Sequence, residues 1–216
     1  MRWTRTLGLI AALSPCTLGG QSFEGAITIR ITVGGRGGAP ATEEVEYVSR
    51  GGNMRVNVMS PVGAVAILGL AAEGKTYIVI ESQRAYMEVR ADDAASATAS
   101  NAGAPTITRS GRKDTVAGFE CEHVIVETSG ANGPQKTDMC LTRSLGPYVN
   151  PMAGFGGGRA TSWQRQLALE GGFPLKVSLP DGTVALEVTK IVRRRVSDAL
   201  FRIPPEFSKV DMPKRP

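Results

Sequence analysis

The chain has 216 residues, 42% hydrophobic and 21% charged, with a formal net charge of +5. That is enough for one or two domains with a substantial core, and it excludes extended disorder. So mild a basicity lacks the electrostatic footprint of a nucleic-acid binder.

Residues 1–20 stand apart. Arg2 and Arg5 precede the apolar run Leu7-Gly8-Leu9-Ile10-Ala11-Ala12-Leu13, and small residues lead on to Gly19-Gly20. This is signal-peptide patterning, too short for a membrane span. Cleavage near Gly19 or Gly20 leaves a single domain over residues 21–216, with 23 basic against 20 acidic residues and no transmembrane segment. The expected address is the periplasm or the exterior. Cys16 could be lipidated only if processing tolerated Pro15 directly before it, and proline is a poor residue there, so no anchor is expected.

From Phe23 the chain turns to period two. Ile27, Ile29, Ile31 and Val33 share one face, with Thr28, Arg30 and Thr32 on the other, which reads as a half-buried strand. The run Gly34-Gly35-Arg36-Gly37-Gly38 precedes another strand-like segment, not a helix N-terminus, so it reads as a hairpin loop and not a phosphate cradle. Val45 and Tyr47 alternate with glutamates, and Met54, Val56 and Val58 alternate with Arg55 and Asn57 after a Gly51-Gly52-Asn53 turn. Short strands follow near 63–71, 75–81 and 84–89. A tight turn at Ser82-Gln83 sets Ile80 against Ala85 and Ile78 against Met87. Residues 91–105 form a polar linker without calcium-loop spacing.

Residues 106–116 add a strand before a central hairpin that holds both remaining cysteines and the chain's one histidine. A dyad between Gly130 and Ala131 sets Cys121 opposite Cys140 and His123 opposite Asp138. Cys121 and Cys140 are then expected to form a cross-strand disulfide. Two reduced, buried cysteines are the cytosolic alternative, and the leader argues against that compartment. His123 and Asp138 have no G-x-S-x-G serine beside them, and one histidine near a disulfide is too little for a metal site. No catalytic residue, cofactor or metal ligand is expected, a carboxylate-pair hydrolase being the residual catalytic option.

The Pro/Gly-rich loop after Gly146 contains Phe155 and leads into the one helix the pattern supports, residues 162–170. Thr161 and Gln164 form its capping box, and Gly171 its stop. Trp163 and Leu167 lie on one face of it. With Phe155 they could lid an apolar site or simply pack in the core. Next, Phe173, Leu175, Val177 and Leu179 alternate toward an Asp181-Gly182 turn signal of type I′, which pairs Leu179 with Val184 and Val177 with Leu186. Val184, Leu186, Val188, Val192 and Val196 share a face on the returning strand, interrupted by Lys190 and Arg194. Arg193-Arg194-Arg195 reads as a solvated strand end, and Leu200, Phe201 and Phe207 dock a terminal turn.

The order of these pieces carries a resemblance. Phe23-Glu24-Gly25, Gly52-Asn53-Met54-Arg55, Arg84-Ala85-Tyr86-Met87, Ala117-Gly118-Phe119-Glu120-Cys121-Glu122, Gly172-Phe173-Pro174-Leu175-Lys176-Val177 and Val196-Ser197-Asp198-Ala199-Leu200-Phe201 resemble the bacterial envelope family called domain of unknown function 4412. That family is similar to the LolA/LolB-like outer-membrane lipoprotein carriers. The resemblance implies a mainly β (α+β) fold: one curved antiparallel sheet, an incomplete barrel, with a helix across its concave face. It implies a lipid, acyl chain or other hydrophobic ligand, with an envelope protein partner and a filled core as the alternative. Phe155, Trp163 and Leu167 are then the expected ligand contacts.

Overall fold

The alternating segments become strands, and the computed structural model assembles them into one sheet. It describes residues 23–33, 40–60, 63–89, 106–130, 133–146, 148 and 172–211. The strands are β1 (Gly25–Val33), β2 (Ala41–Arg50), β3 (Asn53–Ser60), β4 (Gly63–Leu70), β5 (Lys75–Ile80), β6 (Ala85–Val89), β7 (Thr106–Val116), β8 (Phe119–Gly130), β9 (Gly133–Thr142), β10 (Phe173–Ser178), β11 (Val184–Arg193) and β12 (Ser208–Lys209). Their order is β12-β6-β5-β4-β3-β2-β1-β11-β10-β9-β8-β7, an open sheet and not a closed barrel. Neighbours are antiparallel except the two-residue β12, which runs parallel to β6. Among the described residues the helical structure is two short 3₁₀ turns, Glu81–Gln83 and Asp198–Phe201. The expected helix at 162–170 lies outside the described residues.

One face carries the main core. Ile27 and Ile29 meet Tyr47 and Val45 across β1–β2, Val56 meets Ile67 across β3–β4, and these pack in one cluster with Phe173, Leu175 and Val188. The opposite face of β1–β6 is covered by the chain's own C-terminal strap. Val196 and Phe201 pack on Ala26 and Val48; Ile203 and Phe207 pack on Leu68, Tyr77 and Val79. The docking of Leu200, Phe201 and Phe207 read from the sequence therefore holds. Polar bonds fix the strap as well. Glu24 Oε1 accepts from the Val196 amide at 2.7 Å, Arg50 donates to the Val196 carbonyl at 2.5 Å, and Arg55 reaches the Leu200 carbonyl at 3.3 Å.

The β5–β6 register is as the alternation implies, with Ile80 on Ala85 and Ile78 on Met87. Two hairpins differ. In β8–β9 the direct partners are His123 with Cys140 and Ile125 with Asp138, so His123 is not opposite Asp138, and the pairing runs on to Gly130–Gly133. This register, two residues from the expected one, sets Val124 on Met139 and Glu127 on Lys136, whose charged ends meet at 2.8 Å. The expected register would have put Val124 against Thr137 and Met139 against Glu122. Apolar matching decides it. The disulfide survives the shift: Cys121 and Cys140 are bonded, with their Cα atoms 5.2 Å apart. Such a bond belongs to oxidising compartments and is compatible with an extracytoplasmic address.

In β10–β11, Val177 pairs with Leu186 as expected, but Ser178, not Leu179, faces Val184. The Leu179 amide donates instead to the Thr183 carbonyl at 2.8 Å, and the Gly182 amide donates to the Leu179 carbonyl at 3.0 Å. The loop is thus Pro180-Asp181-Gly182, a three-residue turn with Gly182 at φ +84°, not the expected two-residue type I′ turn. Proline explains this, because in the shorter turn Pro180 would hold a paired position without an N–H to donate. Leu179 is left exposed. A second irregularity lies opposite Thr28 and Ile29, where Ile27 pairs with Ile191 but Ile29 with Val188. The extra residue brings Ile191 to the core and turns Val192 outward, correcting the expectation that Val192 shares a face with Val188.

The packing generates two predictions. A non-reduced peptide map should recover Cys121 linked to Cys140, and the double alanine variant should lose roughly 3 kcal/mol in denaturant unfolding; alkylation of either thiol before reduction would refute the bond. At Gly25, φ +156°, an added Cβ would stand 2.1 Å from the Val192 carbonyl oxygen. Gly25→Ala should therefore part β1 from β11 and cost about 1–3 kcal/mol or more in thermal unfolding.

Candidate functional site

Three features meet where β8, β9 and β10 approach the main core. The first is aromatic. Tyr148 stacks on Tyr47 with ring centroids 6.1 Å apart, and Phe173 meets both edge-on at 5.4 and 5.2 Å. The Tyr148 amide donates to the Gly172 carbonyl at 3.3 Å. This contact closes the neck of the excursion over residues 149–171 and holds both its ends against the apolar face.

The second is the histidine cluster. His123 Nδ1 lies 2.7 Å from Asp138 Oδ1 and 2.6 Å from the Arg112 guanidinium, which also bonds Asp138. Its Nε2 faces Asp114 at 3.8 Å. Side chains two residues out of direct register still meet, so the His123–Asp138 neighbourhood persists despite the corrected pairing. The nearby Ser110 hydroxyl donates to the His123 main-chain carbonyl at 2.9 Å. Both ring nitrogens thus face carboxylates, and the serine proton is committed elsewhere. That geometry ties β7, β8 and β9 together; it does not activate a serine. Among the described residues no group of three or more His, Cys, Asp or Glu side chains is placed to hold a metal ion.

The third is a cleft of about 460 Å³ at the end of β7–β8–β9. Lys113 and Arg109 come from β7, Glu120 and Glu122 from β8, Thr142 from β9, and Arg143 and Ser144 follow it. Arg109 pairs with Glu122 at 3.5 Å. Cys121 and Gly172 also line the cleft, so it adjoins both the disulfide and the neck.

The sequence profile described as a domain of unknown function (DUF4412) matches residues 23–207. The chain belongs to this family. No curated protein matches it. Among solved structures it is similar to an uncharacterized conserved protein from Thermus thermophilus, at 12% identity, with a TM-score of 0.46 and coverage of 89% of this chain and 93% of that one.

In this DUF4412 chain, Cys121 and Cys140 stand together as the sequence implies, while Phe155, Trp163 and Leu167 lie outside the described residues. Among the described residues no helix is long and apolar enough to cross a membrane. Sequence reading missed the neck, because Tyr148 sits in an aperiodic Pro/Gly stretch. It missed the cleft because its cations come from separate elements. Arg112 escaped notice because the irregular pairing between Arg109 and Lys113 breaks the alternation of β7.

Two tyrosines should titrate late. Burial, and then a 2.8 Å bond to Glu73, push the Tyr77 phenol up to about 12, while burial and the proximity of Tyr47 push Tyr148 up. The stability Tyr77 contributes is therefore complete below its ordinary value of 10.0 and is lost as pH rises through about 12. Ultraviolet titration should show Tyr77 and Tyr148 ionising late, and Tyr77→Phe should flatten that part of the alkaline stability loss.

Proposed function

We propose that this is an exported, non-catalytic envelope protein that holds an apolar ligand, a lipid or acyl chain, between the core-bearing face of a curved sheet and residues 149–171. On this reading Phe155, Trp163 and Leu167 are its ligand contacts. The observation that carries the reading is the neck at Tyr148 and Gly172, which ties that excursion to the broadest apolar face of the protein.

Chain length supports the curvature. β6 and β7 stand ten places apart in the sheet, roughly 48 Å if it were flat. The sixteen residues 90–105 that join them reach at most about 60 Å when fully extended. A flat sheet would use most of that reach; a curled one would use less and present one concave face. The placement of Arg193 agrees: its guanidinium sits 5.4 Å from the Phe23 ring and 5.8 Å from Phe119, which starts a strand three places away. A curved open sheet is also what the carrier-like resemblance expected from the sequence motifs implies. A concave apolar face gains roughly 0.8 kcal/mol per methylene buried, partly offset by the entropy lost on association.

A second reading, an envelope scaffold with a filled core, is favoured by the complete burial of Ile27, Val56 and Leu175 on that face. A fluorescent fatty-acid titration separates the two. Saturable binding should weaken at least about tenfold in Leu167→Asp, since a buried leucine contributes roughly 1.5–3 kcal/mol. His123→Ala should leave affinity unchanged, because no step needs its proton. Absence of saturable binding in the wild type would discard the ligand reading and leave the scaffold.

A further inference from the structure

We propose that the tip of the β7–β8 hairpin, residues 114–120, is a hinged flap over one end of the main core, latched by Arg193. Among the described residues the tip has no strand partner but itself. The β8–β9 ladder begins at Glu122 on Leu141, so the pairs Thr115–Glu120 and Val116–Phe119 lie wholly within the hairpin. Ala117 and Gly118 make its turn, both at positive φ, which is the type I′ form. Without contacts to the core, a two-stranded ribbon this short is marginal in water.

The root of the tip has the form of a hinge. Between Arg109 on Val124 and Lys113 on Glu122, three residues, Ser110, Gly111 and Arg112, stand against His123 alone, and the ladder is interrupted. Gly111 takes φ +70° with open space where a Cβ would be. Side chains hold the base across this gap: the Ser110 hydroxyl bonds the His123 carbonyl, and Arg112 bonds Asp138. On the other strand the Cys121–Cys140 disulfide tethers the base to β9. Both sides of the base are thus fixed, and the tip can turn about it.

Few contacts keep the tip down. Val116 and Phe119 pack against the core cluster. The Arg193 guanidinium, at the end of β11, lies 5.4 Å from the centre of the Phe23 ring and 5.8 Å from that of Phe119. Phe23 is buried in the core and Phe119 is half-buried on the tip, so an exposed arginine joins a fixed ring to a movable one. Asp114 faces His123 at 3.8 Å, too far for a hydrogen bond. Glu120 and Cys121 line the cleft together with Gly172 of the neck, so lifting the tip uncovers the core where the cleft already opens. The latch stands apart from the ligand reading; that the flap is the ligand's entrance rests on it.

Amide hydrogen exchange on the full chain under native conditions reads the flap directly. Arg193→Gln should quicken exchange of the protected amides in residues 114–120 about twofold to fivefold, the worth of one exposed cation–π contact. Ile67 and Ile78, in β4 and β5, should exchange as before. Phe119→Leu, apolar but without a ring face, should act at least as strongly, and the double variant no more than Phe119→Leu alone. Arg195→Gln, which removes a neighbouring exposed charge, should change nothing. Unchanged exchange in Arg193→Gln, additive effects of the two substitutions, or equal acceleration at Ile67 and Ile78 would each overturn the latch. The fluorescent fatty acid should associate faster in Arg193→Gln by a similar factor. An unchanged association rate beside quickened exchange would overturn the flap as the entrance. A wild type without saturable binding would discard the ligand reading and the entrance with it, while exchange would still decide the latch.

Discussion

The pairing of β1 with β11 is the constraint on which the remaining architecture rests. Without it the chain is two separate meanders, β1 to β6 and β7 to β11, the second interrupted by the long connection from β9 to β10. Only this ladder, from Gly25 on Arg193 to Ile31 on Leu186, fuses them into one sheet and one core. It joins opposite ends of the chain, so its closure entropy is large and its contacts form late. Three local features secure it. Gly25 lets the backbones approach, the extra residue near Thr189 sets the twist, and Glu24 with Arg50 holds the Val196 backbone as the chain leaves β11.

The same exit point decides what happens to the second face. Once Val196 is fixed, the strap must run back over β1 to β6, burying Phe201 and Phe207, until β12 pairs with β6 and Lys209 reaches Glu88 at 2.8 Å. One sheet edge is thereby covered. The other, β7, remains exposed over most of its length, and an exposed edge invites pairing with another chain. Its irregular pairing between Arg109 and Lys113, its row of cations and the fold of Arg112 across to Asp138 all blunt it. The histidine cluster thus acts structurally, holding the edge strand against β8 and β9.

How much of this was legible depended on whether a feature was periodic. Alternation alone located the strands and set Ile80 on Ala85 and Ile78 on Met87. It failed wherever a residue broke the period. Pro180 lengthened one turn, the extra residue near Thr189 flipped Val192 outward, and the polar loop between β8 and β9 hid a register that the Val124–Met139 pair could have revealed. Lys190 in an otherwise apolar strand was the signal of that bulge, since a charge entering a core face marks the point where the faces exchange. The candidate site was less legible still, because Lys113, Thr142 and Arg143 come together through pairing, and no spacing encodes them.

The proposed apolar site belongs to the wing that the ladder recruits. The first wing is covered on its outer face by its own strap. The second wing carries the disulfide, the neck and the cleft side by side, and the disulfide explains why the combination can persist. Cys121 and Cys140 both pack in the core cluster that holds Phe173, and Cys121 also lines the cleft. The bond between them holds β8 to β9 where the core meets the cleft. An amphiphile needs that juxtaposition held rigid, because the gain from burying its chain depends on where its head group is placed. A filled scaffold core would draw the same stability from a disulfide anywhere along β8 and β9, without bringing it to the cleft.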